Sequence, residues 1–556
     1  MSIVTKPSRN QQPSTSFLNS GVPEKRLLKG TLGLGFILMA FLVVMPPVFT
    51  ILGGYQSPLP IWLREVRVWA RGGLEDGFVA SNGPKDKLLG GLLPAGFHEG
   101  TCLSRYQSAS YRKASPHLLS HYLSRRLRKY EALHRRCGPN TALYNKTIEQ
   151  LKNRHNNGTA GCNYVVWIPF SGLGNRMLTL ASAFLYALLT NRVLLIHPDA
   201  SMRDLFCEPF PHTSWLLPSD FPMKGFPKFS RTNPRCYGKM LRRKASANSS
   251  DDAAAQRPPA TVYLYLFHDY DDFDMHFFCE DDQQFLRKIP WLVIESDNYF
   301  APSLFSIPSY EEELSRLFPK RDTVFHHLGR YLFHPTNTVW DMITRYYQAY
   351  LAKAKERVGI QIRIFNRGSP FMHMLDQILA CSLRENLLPD VNLKEPIVST
   401  TNKVVSKAVL VTCLHSEVYE KMKTMYYEHP AVTGEIVGVY QPSHEEVQQT
   451  KEETHNKKAW AEIYLLSLTD VLVTSAWSTF GYVAQGLGGL KPWILIRSEN
   501  MTMPDPPCRR ALSMDPCFHN PPTCSCNGKR DVDKVLVSYV RHCEDLSSGL
   551  KLVHEA

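Results

Sequence analysis

Asp470-Val-Leu-Val-Thr474 runs directly into Ser475-Ala-Trp-Ser-Thr-Phe-Gly-Tyr482, and the reading of this stretch decides the fold. The first five residues have the apolar, β-branched character of a buried strand, and Tyr482-Val-Ala-Gln-Gly-Leu487 continues as a helix. A strand passed to a helix through a short turn is the repeating unit of a parallel α/β sheet. Ser478 and Thr479 then fall at the helix start, where unpaired amides and the positive dipole end can hold a diphosphate. A plain N-cap is the other use of the same pair.

The pattern recurs on both sides of this segment. Tyr164-Val-Val-Trp-Ile168 is a predicted strand, Met177 to Leu189 a helix and Val193-Leu-Leu-Ile196 a second strand. A second unit opens at Val358-Gly-Ile-Gln-Ile-Arg-Ile364, with strands at Ala408–Thr412, Glu435–Val439 and Pro492–Ile496. The predicted fold class is therefore α/β and GT-B-like: two Rossmann-type domains facing a cleft, with ligands gathering at the strand C-termini. Ahead of the first sheet, Ser115-Pro116 is expected to open a helix with the stripe Leu119, Tyr122, Leu123, Leu127, Tyr130 and Leu133, stopped at Cys137-Gly138-Pro139. Residues 244–260 form a low-complexity insertion, and no internal repeat is visible.

The chain has 556 residues, too many for one core, and a formal charge of +13. Its basic residues are dispersed or lie on one helix, and no nucleic-acid-binding motif accompanies them, so no nucleic-acid partner is expected. Gly30 to Leu63 carries no charge, and residues 30–54 meet the ~20-residue length of a transmembrane anchor. Lys6, Arg9, Lys25, Arg26 and Lys29 precede it, which predicts a cytoplasmic tail over 1–29 and a single-pass type II topology. The remaining divisions are a stem at 55–95, an N-terminal acceptor-side domain at 96–355, a C-terminal donor-binding domain at 356–545 and a tail at 546–556. Thirteen cysteines fit an oxidising lumen, and sequons begin at Asn145, Asn157, Asn248 and Asn500.

Three loops after strands carry candidate chemistry. In Ser171-Gly-Leu-Gly-Asn-Arg176 the glycines permit a tight turn and close backbone approach, but a dinucleotide fingerprint would need a third glycine. In Gln361-Ile-Arg363 a guanidinium lies in an otherwise apolar strand and needs a partner, either a diphosphate or a carboxylate. Asp297, ending Trp291-Leu-Val-Ile-Glu-Ser-Asp297, is a candidate for that carboxylate. The third loop is the Ser-Trp-Ser-Thr-Phe turn.

At these residues the chain resembles the plant α-1,2-fucosyltransferases, the family that includes xyloglucan fucosyltransferase. The matching words are Arg105-Tyr-Gln-Ser108, Tyr111-Arg-Lys113, Gly172-Leu-Gly-Asn-Arg-Met177, Gly359-Ile-Gln-Ile-Arg363, Ser475-Ala-Trp-Ser-Thr-Phe-Gly481 and the segment Pro507-Cys508 to Cys526. The resemblance implies an inverting glycosyltransferase of the Golgi membrane that moves L-fucose from GDP-fucose to a galactose hydroxyl of a cell-wall glycan such as xyloglucan or arabinogalactan. It implies no cofactor and no metal beyond that donor. Gly174, Asn175 and Arg176 would line the cleft beside the diphosphate, and Gln361 and Arg363 would face the leaving GDP, with Asp297 orienting Arg363. Ser478, Thr479 and Phe480 would hold phosphates and nucleoside. Asn366 and Arg367 depart from the family pattern, which has an acidic residue there, and this bears on acceptor choice more than on donor use.

Other readings of the residues stay open at this point. One is a transferase for another nucleotide sugar; another is an inactive, membrane-anchored glycan-binding protein. Oligomeric assembly is open as well, and so is the identity of any general base, since an Asp297 paired to a guanidinium would serve poorly. Asp272-Phe-Asp274 has the acid-x-acid spacing some transferases use for a divalent cation, though such triplets are common in loops. Cys508, Cys517, Cys524 and Cys526 with His519 could hold zinc, but in an oxidising lumen disulfides are the expected state.

Overall fold

Two parallel sheets carry the molecule, and each is covered on both faces. The computed structural model of the chain describes residues 86–152, 161–199, 202, 204–222, 229–246, 258–364, 371–394, 405–497, 502–523, 526 and 538–554. The predicted tail 1–29, the anchor 30–54, most of the stem, Asn157, Asn248, Asn500, Asn366 and Arg367 lie outside these residues. Among the described residues no helix is long and apolar enough to cross a membrane.

The N-terminal sheet comprises β1 (Asn163–Ile168), β2 (Arg192–Ile196), β3 (Thr261–Leu266) and β4 (Trp291–Ser296), in the order β2-β1-β4-β3 and all parallel. Side chains alternate between two cores. Val165 and Trp167 enter one apolar layer, while Tyr164, Val166 and Ile168 enter the other. That two-sided burial explains the continuous apolar runs read in the sequence. The second sheet holds β5 (Glu356–Gln361), β6 (Lys407–Thr412), β7 (Val437–Tyr440), β8 (Val471–Ser475), β9 (Trp493–Leu495) and β10 (Cys508–Arg510), in the order β10-β9-β8-β5-β6-β7. All its neighbours are parallel except β10, which runs antiparallel along β9.

Six helices matter for the site. They are α1 (Leu103–Tyr111), α2 (His121–Cys137), α3 (Leu173–Thr190), α4 (Val324–Leu332), α5 (Glu453–Leu466) and α6 (Thr479–Gly488). Helix α2 begins five residues later than predicted, because the cap is Ser120, whose hydroxyl accepts from Leu123 N at 2.9 Å, and not the Ser115-Pro116 pair. Ser115 instead bonds His326 at 3.1 Å. Helix α3 ends at Asn191, which takes the left-handed conformation at φ 53°. Phe184 of α3, Phe325 of α4, Trp460 of α5 and Leu487 of α6 share one continuous apolar core that joins both sheets beneath the cleft.

Several expected boundaries move. The stem ends earlier than 95, since Leu92 and Leu93 are buried in that core. Asp515 and Cys526 pack against the first half: Asp515 accepts from Tyr299 OH and Phe325 N, and Cys279 is disulfide-bonded to Cys526. The expected tail 546–556 contains β12 (Leu550–Leu552), which pairs antiparallel with β11 (Val540–His542). Short-range pattern cannot foretell such returns, because the partners lie far away in sequence. The family-like words at 105–113 act as a strap between the halves. The Arg105 guanidinium sits 3.6 Å from the Phe97 ring centroid and donates to Glu208 O, while Arg112 donates to Leu487 O at 3.1 Å and Lys113 pairs with Asp470.

Helices α4 and α6 approach closely at Gly486, where a Cβ would lie 2.4 Å from Phe325 Cδ1. Replacing glycine in a helix gains up to about 1 kcal/mol in propensity, less for a β-branched residue, whereas overpacking a close-packed core costs about 1–3 kcal/mol. The steric term wins for a branched side chain. Gly486→Val should lower the melting temperature measurably in a thermal scan; an unchanged or higher value contradicts this packing.

Candidate functional site

The C-terminal ends of both sheets open onto one cleft of about 1050 Å³. Its N-terminal wall is built by the β1–α3 turn, the end of β2 and the end of β4; its C-terminal wall by the turns after β5, β6 and β8 and by α5. Gly174, Asn175, Arg176, Gln361, Arg363, Ser478, Thr479 and Phe480 all line it. Arg363 and Ser478 thus border a shared hollow, brought together across more than a hundred residues of sequence.

Two strand-to-helix turns of like construction meet here. Each places a non-glycine residue at positive φ just before the N-cap: Ser171 at 65° before Gly172, and Trp477 at 59° before Ser478. The first α3 ladder bond is Arg176 N to Gly172 O, so the amides of Leu173, Gly174 and Asn175 precede the ladder. The first α6 ladder bond is Tyr482 N to Ser478 O, which leaves the Thr479 and Phe480 amides at its head. Ser478 does cap its helix, but loosely, with Oγ accepting from Gly481 N at 3.5 Å. Gly174 lies flush against α6: a Cβ there would stand 2.7 Å from Thr479 Oγ1 and 2.9 Å from Phe480 N. Asn175 completes the junction, its amide donating to Asp297 O at 2.9 Å and its carbonyl accepting from Thr479 Oγ1 at 3.0 Å.

Arg363 lies two residues beyond the last residue of β5, not within the strand as expected. Its backbone N donates to Ser475 Oγ at 2.9 Å, tying the β5 exit to the β8 exit. Burial lowers the pKa of its guanidinium, and it does the same for Arg176. Neither shift deprotonates a group with so high an ordinary value, so both stay cationic and imperfectly solvated, a state that favours an anionic ligand. Gln361 is buried, with Oε1 accepting from Thr474 Oγ1 at 2.8 Å, and it braces the floor beneath Arg363.

Asp297 differs from expectation. Its carboxylate accepts from His268 N at 2.9 Å, from His268 Nδ1 at 2.5 Å and from Asn298 Nδ2 at 2.9 Å, and it is not part of the cleft lining. Its pull on His268 raises the pKa of that imidazole. Only its backbone carbonyl reaches toward the site, through Asn175. The Arg363 backbone, for its part, is fixed by Ser475 at the end of β8.

Residues that the sequence reading passed over also line the cleft. Glu295 and Glu462 each have a pKa raised to about 7 by burial. Glu462 accepts from the Ser443 N and hydroxyl; Glu295 accepts from Tyr263 OH at 2.7 Å. His519 lines the cleft through its contact with Tyr482 OH at 3.1 Å, and because that hydroxyl donates to Asp545, His519 Nε2–H is the donor to it. Asp545 also accepts from Trp477 N at 2.9 Å, and its carbonyl accepts from the Trp477 indole at 2.6 Å. The polar residue inside the otherwise apolar Trp291-Leu-Val-Ile-Glu-Ser296 strand was the available signal for Glu295; nothing local marks Asp545.

Asp274 of the acidic triplet and Cys508, Cys517 and Cys526 of the cysteine cluster are engaged in protein contacts, while Cys524 lies outside the described residues. Asp271 and Asp274 form a capping box at a short helix and pair with Arg231, and Asp271 also pairs with Arg242. Cys508 is disulfide-bonded to Cys381 and Cys517 to Cys543. Cys102–Cys207 and Cys137–Cys162 bring the described disulfides to five; Cys236 and Cys413 are thiols. Asn145, the one described sequon asparagine, is exposed on a helix.

A family model described as xyloglucan fucosyltransferase matches residues 71–527. A galactoside 2-alpha-L-fucosyltransferase from Pisum sativum is 59% identical over 471 residues, 84% of this chain and 82% of that protein. One of the same name from Arabidopsis thaliana is 58% identical, covering 84% and 83%. Among solved structures, a point mutant of Arabidopsis thaliana FUT1 in complex with GDP aligns with a TM-score of 0.78 at 56% identity, over 84% of this chain and 100% of the other.

Removing the Asp545 carboxylate strips two part-buried donors, Trp477 N–H and Tyr482 OH, of their acceptor, at up to roughly 1–3 kcal/mol for each group left unsatisfied. Asp545→Ala should therefore lose amide-exchange protection across 477–482 while the N-terminal sheet keeps its own. Unchanged protection in that turn contradicts the clamp.

Proposed function

The chain belongs to the xyloglucan fucosyltransferase family and is a glycosyltransferase; from that premise we propose that it moves L-fucose from GDP-fucose to a galactose 2-hydroxyl of a cell-wall glycan, with inversion at the sugar. One observation carries the site assignment: Arg363, Ser478, Thr479 and the Gly174-Asn175-Arg176 helix start border the same hollow.

Breaking the bond between fucose C1 and the β-phosphate leaves oxocarbenium character on the sugar and negative charge on GDP. The Arg363 guanidinium and the amides at the heads of α3 and α6 oppose that charge in a partly dehydrated cleft, where such donors are worth far more than in water. The diphosphate is set at the α6 head, Gln361 underlies it through Thr474, and Phe480 borders the nucleoside. This chemistry draws on the protein's own cations and amides and calls on no cofactor. An acceptor hydroxyl attacking from the face opposite GDP converts the β-linked donor into an α-fucoside.

The five disulfides among the described residues accord with a lumenal catalytic part, and we propose a Golgi membrane location with residues 30–54 as the anchor.

Incubating the lumenal part with GDP-fucose and galactosylated xyloglucan or arabinogalactan should release GDP and form an α-1,2-fucoside. No turnover across such acceptors, or tighter binding of UDP than GDP, contradicts the reading. Arg363→Ala should lower transfer by roughly 10²- to 10³-fold, the range for deleting one charge-stabilising donor, with the melting temperature nearly kept. Near-normal turnover would remove Arg363 from the mechanism.

A further inference from the structure

A relay of three side chains reaches the cleft at the β8–α6 turn. Trp477 N and Tyr482 OH both donate to Asp545 Oδ2, so the Tyr482 hydroxyl, though it belongs to the first turn of α6, is drawn back beside the residues that precede the helix head. Tyr482 is buried, and burial together with Asp545 raises its hydroxyl pKa well above the ordinary value. Its single proton therefore stays in place and goes to the carboxylate. The phenolic oxygen is left to accept from His519 Nε2 at 3.1 Å, which fixes the imidazole in its Nε2–H form. Burial lowers the His519 pKa, so the ring is neutral near pH 7.

A neutral Nε2–H imidazole carries a lone pair on Nδ1. That atom has no hydrogen-bonding partner among the described residues and is not sealed inside the protein, and His519 lines the cleft. The other two cleft histidines are placed differently. His455 Nδ1 lies 3.6 Å from Glu445, and His197 follows β2 on the N-terminal wall. An open lone pair accepts only from a donor group. Phosphate oxygens seated at the α6 head are themselves acceptors and are repelled by it, whereas the hexose bonded to the β-phosphate presents hydroxyl protons. His519 is tied through Tyr482 and Asp545 to the very turn that forms the diphosphate seat, so its open nitrogen belongs to the donor side of the cleft.

We propose that His519 reads the donor sugar: its Nδ1 accepts a hydrogen bond from a ring hydroxyl of the fucose carried on GDP, an inference that rests on the fucosyl-transfer reading above. No proton is transferred in this contact. Its effect falls on GDP-fucose and spares GDP, which lacks the hexose. A sugar without a hydroxyl at that place leaves the lone pair unpaired in a partly dehydrated site, and a site built on a hydrogen bond discriminates against such a ligand.

His519→Phe keeps a ring and removes the lone pair. In the lumenal enzyme with a saturating galactosylated acceptor, the KM for GDP-fucose should rise about tenfold, the order expected for one hydrogen bond, while calorimetric GDP affinity stays within about twofold and the acceptor KM holds. His519→Asn, whose side-chain carbonyl can stand where Nδ1 does, should recover most of the donor KM, a rescue that a purely structural role would not give. His519→Leu supplies the same comparison should the phenylalanine variant not melt cooperatively. A donor KM within about twofold of wild type, an equal loss of GDP and GDP-fucose affinity, or a rise confined to the acceptor KM would each overturn the assignment. A wild-type enzyme that binds GDP yet transfers no fucose would overturn the fucosyl reading and this proposal with it, whereas an unchanged donor KM in His519→Phe overturns only the proposal.

Discussion

The site depends on the missing side chain at Gly174. Without a Cβ, the first turn of α3 lies directly against Thr479 and Phe480, and two helix heads from different sheets face one hollow. Helix heads present unpaired amides and partial positive charge, an interaction that decays within about one turn. Two such heads act on one ligand only if they nearly touch. Asn175 holds the arrangement by bonding Asp297 O on one side and Thr479 Oγ1 on the other.

The surrounding structure maintains that contact against local strain. Ser171 and Trp477 adopt positive φ without being glycine, at about 1–3 kcal/mol each. Trp477 is offset by Asp545, which receives its amide and its indole, and the Arg497 guanidinium lies 4.5 Å from its ring centroid. Asp545 comes from the extreme C-terminal part of the chain, anchored by the Cys517–Cys543 disulfide and the β11–β12 pair. The apolar core shared by α3, α4, α5 and α6 binds the halves beneath the cleft, so the two sheets act as one frame.

Much of this was legible in the sequence for a physical reason. Buried parallel strands are apolar throughout, and ligands gather where such strands end, so the three polar turns after β1, β5 and β8 could be picked out before any coordinates. Arg363, Asn175, Ser478 and Thr479 do share a cleft. What escaped were features decided by distant contacts. Asp297 turned to His268 because a loop after β3 reached it first, and Glu295, two residues earlier, took the cleft position. Leu550–Leu552 became a strand because β11 was there to pair with it, and the chain crossed back to the first half to bury Asp515. The start of α2 was decided by which of two serines was free to cap, and Ser115 was occupied by His326.

Calorimetric binding of GDP to Gly174→Ala beside the wild-type protein tests the abutting helix heads most directly. The added methyl must push α3 and α6 apart by several tenths of an ångström or more, so the account predicts a dissociation constant larger by about tenfold or more, roughly 1.4 kcal/mol, in a protein that still melts cooperatively. An unchanged affinity would mean that the two helix heads do not jointly hold the diphosphate.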